Sequence, residues 1–258
     1  MKVANCILVF QFISAIIVGC STNIHEQNYI AHAGGEIDGY TYTNSKEAVE
    51  YAVKCGVRYV ELDLALTSDS CLVAVHDWAE FRAMAGAPPL PNASESLDKQ
   101  WFIESKIYGR FTPLTAEDIV DILNKYPDIT LVTDKISDPN ILNPYFEKMS
   151  HRVIVECFSD NDYYILSRLG YTCFRSGCPP FKGLYYMKKL LRSPDMYIDR
   201  YVTSLGSYDM KILRYFGCLP PPKCEMAIFP AKDRITADSI FSVHPNISFV
   251  YVDNVEER

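Results

Sequence analysis

The sequence predicts an α/β protein built as a single (β/α)8 barrel. Three observations predict it. Strand-like and helix-like segments alternate along most of the chain, no internal repeat or low-complexity linker splits it, and the stretch from residue 28 to residue 258 has the length a closed barrel of this kind needs. The first helix is the best signalled. Asn44 and Glu47 stand three apart as a capping box, Ala48, Val49, Ala52 and Val53 supply the apolar stripe, and Gly56 sits where a C-cap belongs. It leads into residues 57–66, an apolar strand carrying two carboxylates. Downstream the pattern gives a helix over 116–125, a strand over 129–134, a helix over 144–149 and a strand over 153–158. A helix over 162–169 stops at Gly170, and the last third closes with strand 225–229, helix 237–243 and strand 247–252. Residues 81–111, rich in Ala, Pro and Ser, read as an insertion or a lid loop.

Composition narrows the class. With 258 residues, 48% of them hydrophobic, the chain can bury a large core, and a 22% charged fraction with 15 scattered prolines excludes a coiled coil, a collagen or a disordered tail. A formal charge of −7 repels nucleic acid, so no nucleic-acid partner is expected.

The amino end reads as an export signal. Lys2 precedes an apolar run over 3–18 broken only by Asn5, Gln11 and Ser14, too short to span a bilayer comfortably. It ends in Ile17-Val18-Gly19-Cys20-Ser21, which resembles a bacterial lipoprotein signal, so residues 1–20 are expected to be a signal whose Cys20 is lipidated. On that reading the protein is exported to the bacterial cell envelope and held at the membrane by its lipid. Once Cys6 is discarded, seven further cysteines remain, at 55, 71, 157, 173, 178, 218 and 224. No C-x-x-C pair is among them, which argues against zinc. A Cys218–Cys224 bridge and a set of free buried thiols both fit an exported chain.

The chemistry gathers on the second strand. Side chains alternate, so Glu61, Asp63 and Ala65 share one face while Val60, Leu62, Leu64 and Leu66 share the other. The apolar face packs on helices, which turns two carboxylates into the barrel, where each needs a cation or a full set of donors. A divalent ion held by oxygen ligands answers that need. A turn at 67–71 then leads into Leu72-Val73-Ala74-Val75-His76-Asp77. With a two-residue Asp69-Ser70 loop, Asp63 pairs with His76 and both project to one side; a slip of one residue sends His76 to the other. Upstream, His32 precedes Gly34-Gly35, and glycines there let the backbone approach a ligand closely.

Taken in order, these residues resemble the glycerophosphodiester phosphodiesterase family. Ala31-His32-Ala33-Gly34 stands where the family has His-Arg-Gly, and Tyr42-Thr43-Asn44-Ser45 where it has Pro-Glu-Asn-Thr. Glu61-Leu62-Asp63 matches its Glu-x-Asp and Val75-His76-Asp77 its His-Asp. Weaker matches follow: Pro113-Leu114-Thr115 for Pro-Thr-Leu, Thr133-Asp134-Lys135 for a strand ending in Glu-x-Lys, and Glu156-Cys157-Phe158-Ser159 for Ser-Phe. The resemblance implies a TIM barrel with a metal-assisted phosphodiesterase site at the C-terminal ends of its strands. It also implies Ca²⁺ or Mg²⁺ on Glu61 and Asp63, His32 and His76 as the acid and base, and Lys135 as a phosphate contact.

Two departures stand out. Ala33 replaces the family's Arg and removes a bidentate phosphate contact. Thr133 replaces its third acidic ligand, with Asp134 one residue later; a regular strand turns Thr133 and Lys135 inward and Asp134 outward, so Asp134 either ligates through a bulge or strand end or pairs with a helix. The substrate expected is a small-molecule glycerophosphodiester, cleaved to an alcohol and glycerol phosphate. A lyase of the sphingomyelinase D type, which uses a similar barrel with a further Asp, is one rival. A catalytically inactive cell-surface binding barrel is the other.

Overall fold

The structure is a computed structural model that describes residues 28–87, 95–177, 198–207, 225–244 and 247–256. The expectations for the signal segment, for lipidation of Cys20 and for the Cys218–Cys224 bridge fall outside the described residues. Cys55, Cys71, Cys157 and Cys173 are free thiols.

Eight parallel strands form the barrel: β1 (Asn28–Ala31), β2 (Tyr59–Leu66), β4 (Thr130–Asp134), β5 (Val153–Cys157), β6 (Thr172–Ser176), β7 (Arg200–Ser204), β8 (Glu225–Asp233) and β9 (Ile247–Asn254). It closes because β1 pairs with both β9 and β2. The short β3 (Leu72–Ala74) lies antiparallel on β2. One face of the strands fills the lumen with Ile30, Val132, Ile154, Phe174, Val202, Ala227, Phe249 and Tyr251. The other face packs on a ring of helices: α1 (Lys46–Lys54), α4 (Ala116–Lys125), α5 (Pro139–Phe146), α6 (Asp160–Arg168) and α7 (Arg234–Val243). Leu62, Leu123, Leu142, Phe146 and Leu166 are among its fully buried members, and each such side chain contributes about 1.5–3 kcal/mol by leaving water.

Several elements sit where the pattern predicts, and the differences have local causes. The cap of α1 is Ser45, whose Oγ accepts from Ala48 N, while Asn44 adopts a left-handed φ of 48° that a capping residue does not take. Glu47 accepts instead from the N–H and hydroxyl of Thr112, at 2.7 and 2.8 Å. Gly56 follows the helix at φ 76°, as expected. Helix α5 begins at Pro139, five residues ahead of the predicted start at Pro144, because Asp138 caps it. Strands β6 and β7, TCFRS and RYVTS, escape the sequence pattern because polar ends leave each only a short apolar centre.

The β2–β3 hairpin is offset by one residue from the predicted register. Leu64 pairs with Ala74 and Leu66 with Leu72, so Asp63 faces Val75, whose N–H donates to Asp63 O at 2.7 Å. The loop holds three residues, 68–70, with Ser70 left-handed at φ 66° and Thr67 N–H closing onto Cys71 O at 2.9 Å. Beyond it, the insertion carries α2 (Trp78–Met84) and α3 (Lys99–Glu104). Phe81 stacks on Phe102 at 4.9 Å, over Val73, Val75, Ile107 and Phe111. Its described part is therefore a small packed layer on β3.

Candidate active site

The pleat of β2 carries two acids inward, and β4 supplies a third. Glu61 pairs with Val132, Leu62 with Thr133 and Asp63 with Asp134. Val132 packs in the lumen, so two residues on Asp134 also points inward, and Thr133, fully buried, points out. The predicted phase of this strand was therefore the wrong one: no bulge is needed to bring Asp134 in. Carboxylate oxygens of Glu61, Asp63 and Asp134 lie within 4.8 Å of one another. Lys135 has left the strand at φ 70°, and its Nζ lies 3.7 Å from Asp63 Oδ1 and 3.6 Å from Asp134 Oδ2.

These acids are deeply placed. Glu61 is 1% exposed; one oxygen accepts from Ala33 N–H at 2.7 Å, while Oε1 is buried with no hydrogen-bond partner. Asn44 holds Asp63 by two hydrogen bonds. Burial first, and then the charge of Asp63, pushes the Glu61 carboxyl well above its ordinary range; burial likewise raises Asp63. An orphaned carboxylate oxygen facing two further acids fits a hard divalent cation, and an all-oxygen donor set suits Ca²⁺ or Mg²⁺.

Two histidines stand beside the acids. His32 follows β1 in a 3₁₀ turn, and its Nδ1 lies 2.8 Å from Asp253 Oδ1 at the end of β9. His76 lies past the end of β3, so the pleat no longer dictates its side, and it lines the same cleft despite the register offset. Its Nδ1 is 3.1 Å from Glu80 Oε2, in the first turn of α2, which Asp77 caps by accepting from Ala79 and Glu80 N–H. With both Nδ1 atoms directed at carboxylates, Nε2 is the nitrogen each ring offers to chemistry. The Tyr42 ring lies edge-on to both, at 4.8 Å from His32 and 5.4 Å from His76. Burial and the charge of Asp253 raise its phenol, which keeps it neutral.

Together His32, Tyr42, Glu61, Asp63, His76, Asp134, Lys135, Glu156, Phe229, Pro230 and Tyr251 line a cleft of about 210 Å³ at the C-terminal ends of the strands. An irregularity in β8 between Ile228 and Ala231 brings in Phe229 and Pro230. Every candidate residue from the sequence within the described region thus converges: His32, Glu61, Asp63, His76, Asp134 and Lys135. Sequence reasoning missed Glu80 and Asp253, and placed Tyr42, Asn44 and Glu156 in motifs without giving them a role in the site. The single acid in the apolar run Val-Ile-Val-Glu-Cys was a signal that could have exposed Glu156. Its carboxyl is pushed up to about 8 by burial first and then the charge of Asp134, against a hydrogen bond from Ser176.

Residues 32–134 match the glycerophosphoryl diester phosphodiesterase family. The match bears out the resemblance carried by the four leading motifs, and this is a family of phosphoric diester hydrolases. Solved structures with the same barrel include a glycerophosphodiester phosphodiesterase from Parabacteroides distasonis, at 15% identity over 89% of this chain and 93% of that one, with a TM-score of 0.61. An Oleispira antarctica phosphodiesterase in complex with the product sn-glycerol-3-phosphate shares 13% identity over 88% and 93%, with a TM-score of 0.62. A glycerophosphoryl diester phosphodiesterase domain from Mycobacterium tuberculosis shares 16% over 89% and 97%, at 0.58. At these identities the likeness to the family's structures is one of fold, a single closed (β/α)8 barrel. A comparison with the curated proteins found no match.

Proposed function

We propose that the protein is a cation-dependent phosphodiesterase that cleaves glycerophosphodiesters to an alcohol and glycerol phosphate. The observation that carries this reading is the convergence of Glu61, Asp63 and Asp134, with the orphaned Oε1 of Glu61, beside two carboxylate-held histidines in one cleft. Glu61, Asp63 and Asp134 would hold the Ca²⁺ or Mg²⁺. Such a cation, when bound, neutralises phosphate oxygens and orients the diester. Lys135 offers the phosphate a second positive charge from the rim. That matters here because Ala33, left-handed at φ 49° with its N–H spent on Glu61, gives none.

His32 and His76 divide the proton work at Nε2. One takes the proton of a neighbouring substrate hydroxyl as its oxygen bonds to phosphorus; the other protonates the departing alkoxide as the opposite P–O bond breaks. Water, deprotonated by the second, then opens the cyclic phosphate, and the first returns its proton to the ring oxygen. Asp253 and Glu80 hold the two rings in the tautomer this requires. An Asp rather than a Glu as third acid favours the sphingomyelinase D type as a second reading. That lyase stops at the cyclic phosphate, and phosphorus NMR of the products separates the two. The inactive binding barrel has less support, since the acids and both histidines are in place.

The amino end supports an exported protein anchored at a bacterial cell envelope through a lipid on Cys20, a reading that rests on residues 1–20 alone. The test of function is Glu61→Gln and Asp63→Asn, each removing one ligand charge at constant volume. Either variant is expected to abolish hydrolysis of a glycerophosphodiester with melting temperature retained, and a chelator should inactivate the wild type. Full activity in either variant refutes the cation site.

A further inference from the structure

The acids of the cleft do not end with the three that cluster. Asp63 and Asp134 are register partners across β2 and β4, and Thr133 pairs with Val155 across β4 and β5. Glu156 therefore stands beyond Val155 as Asp134 stands beyond Thr133. Asp63, Asp134 and Glu156 form one row over three adjacent strands, with Glu61 a layer deeper on β2. Glu156 is 7% exposed and lines the same cleft. Its carboxylate lies outside the group whose oxygens approach within 4.8 Å, so it is set to act on a bound ion from just beyond the direct ligands.

With Glu61 and Asp63, Glu156 makes a third buried acid at this end of the lumen, which is costly unless it serves a positive charge. Among the described residues that line the cleft, Lys135 is the sole lysine or arginine, and it already faces Asp63 and Asp134. Independently, Oε1 of Glu61 is buried with no hydrogen-bond partner, which fits a cation at this end of the lumen. Hard divalent cations keep part of their water when bound, and those waters need acceptors.

We propose that Glu156 is the outer carboxylate of the cation site, accepting a hydrogen bond from a water on the ion held by Glu61, Asp63 and Asp134 and thereby tightening its binding. This rests on the reading of those three acids as cation ligands. Partners of this kind change metal affinity about 10–100-fold when removed. The test is calorimetric titration of the whole protein with Ca²⁺ and, separately, Mg²⁺, for wild type, Glu156→Gln and Glu156→Asp, alongside the melting temperature of each cation-free protein. The expected result for Glu156→Gln is a Kd raised about 10–100-fold with cation-free melting no lower than wild type. Glu156→Asp, one methylene shorter with its charge kept, should bind more weakly than wild type and more tightly than the Gln variant. A purely structural Glu156 would change melting and leave the Kd alone, and that result overturns the proposal. So does an Asp variant equal to wild type, should the Gln variant fail to fold. If wild type itself binds neither cation, the reading of Glu61, Asp63 and Asp134 falls with it. Normal binding by wild type and by the Gln variant alike removes Glu156 only.

Discussion

Asn44 grips Asp63 at both ends: its Nδ2 donates to Asp63 Oδ2 at 3.0 Å, and its Oδ1 accepts from Asp63 N–H at 3.0 Å. The two residues are 19 apart in sequence, and both are buried. The amide thus fixes the rotamer of a carboxylate in the proposed cation site and satisfies a backbone donor deep in the barrel. It does so from a left-handed φ of 48°, a conformation asparagine tolerates far better than most residues.

Replacing Asn44 by alanine should therefore be costly twice over. A buried N–H and a buried carboxylate both lose their partner, at about 1–3 kcal/mol, and alanine is strained at this φ. Chemical denaturation of Asn44→Ala should show that loss, and cation titration should show weaker binding as Asp63 loses its fixed rotamer. Unchanged stability together with unchanged cation affinity would show that the double hydrogen bond has no role.

The same asparagine marks where the sequence could and could not be read. Its spacing from Glu47 mimics a capping box, a local pattern that holds until a distant partner outbids it; Asp63 is that partner. Helix α4 and strands β2, β4, β5 and β9 were legible because their periodicity is local and their apolar faces are long. The carboxylates of Glu61 and Asp63 were legible for the same reason, since a strand with one apolar face must turn the other somewhere. Phase was not legible where it depends on packing across strands. Val132 in the lumen, and not the motif alignment, decides that Asp134 faces in. The loop that sets the β3 register hinges on Ser70 at φ 66°, which no residue type announces. Asp253 lies 221 residues from His32, and only closure of the barrel brings the two together.

For the histidines, the arrangement predicts divided roles. If one ring works neutral and the other protonated, activity against pH is bell-shaped, and each His→Ala change costs about 10²–10⁴ in rate. Losses in the double variant should fall short of the product, since groups acting as one unit are not additive. A nitrophenyl diester, whose leaving group needs little protonation, should rescue the variant that lost the acid and leave the other unrescued. Rescue of neither, or losses below about tenfold in both, would show that His32 and His76 do not divide the proton work.

The amino end makes its own prediction. Gly19 before Cys20, with the apolar run upstream, fits lipoprotein processing. Mass spectrometry of the mature protein should find a lipid-modified Cys20 as the first residue, and Cys20→Ala should move the protein from the membrane fraction to the soluble one. An unmodified N-terminus elsewhere, or unaltered membrane partition, is the contrary result.

The last prediction concerns pH and follows from how the acids are buried. Glu61, Asp63 and Glu156 are all raised above their ordinary values, each chiefly by burial, and Glu156 reaches about 8. In the cation-free protein these groups keep protons that the unfolded chain has already released. Stability from this source is complete below the ordinary carboxylate range and declines as pH rises toward about 8, because the native state binds more protons than the unfolded one throughout that window. Urea denaturation in chelator should therefore give a lower unfolding free energy at about pH 8 than at about pH 5. Glu156→Gln cannot ionise at this position and should flatten the upper part of the slope. Adding Ca²⁺ or Mg²⁺ should work in the opposite sense, since carboxylates ligate only when deprotonated and cation stabilisation grows as protons leave. A cation-free stability that rises with pH over this range would mean that the three carboxylates are ionised without a cation, and that the site is not built around one.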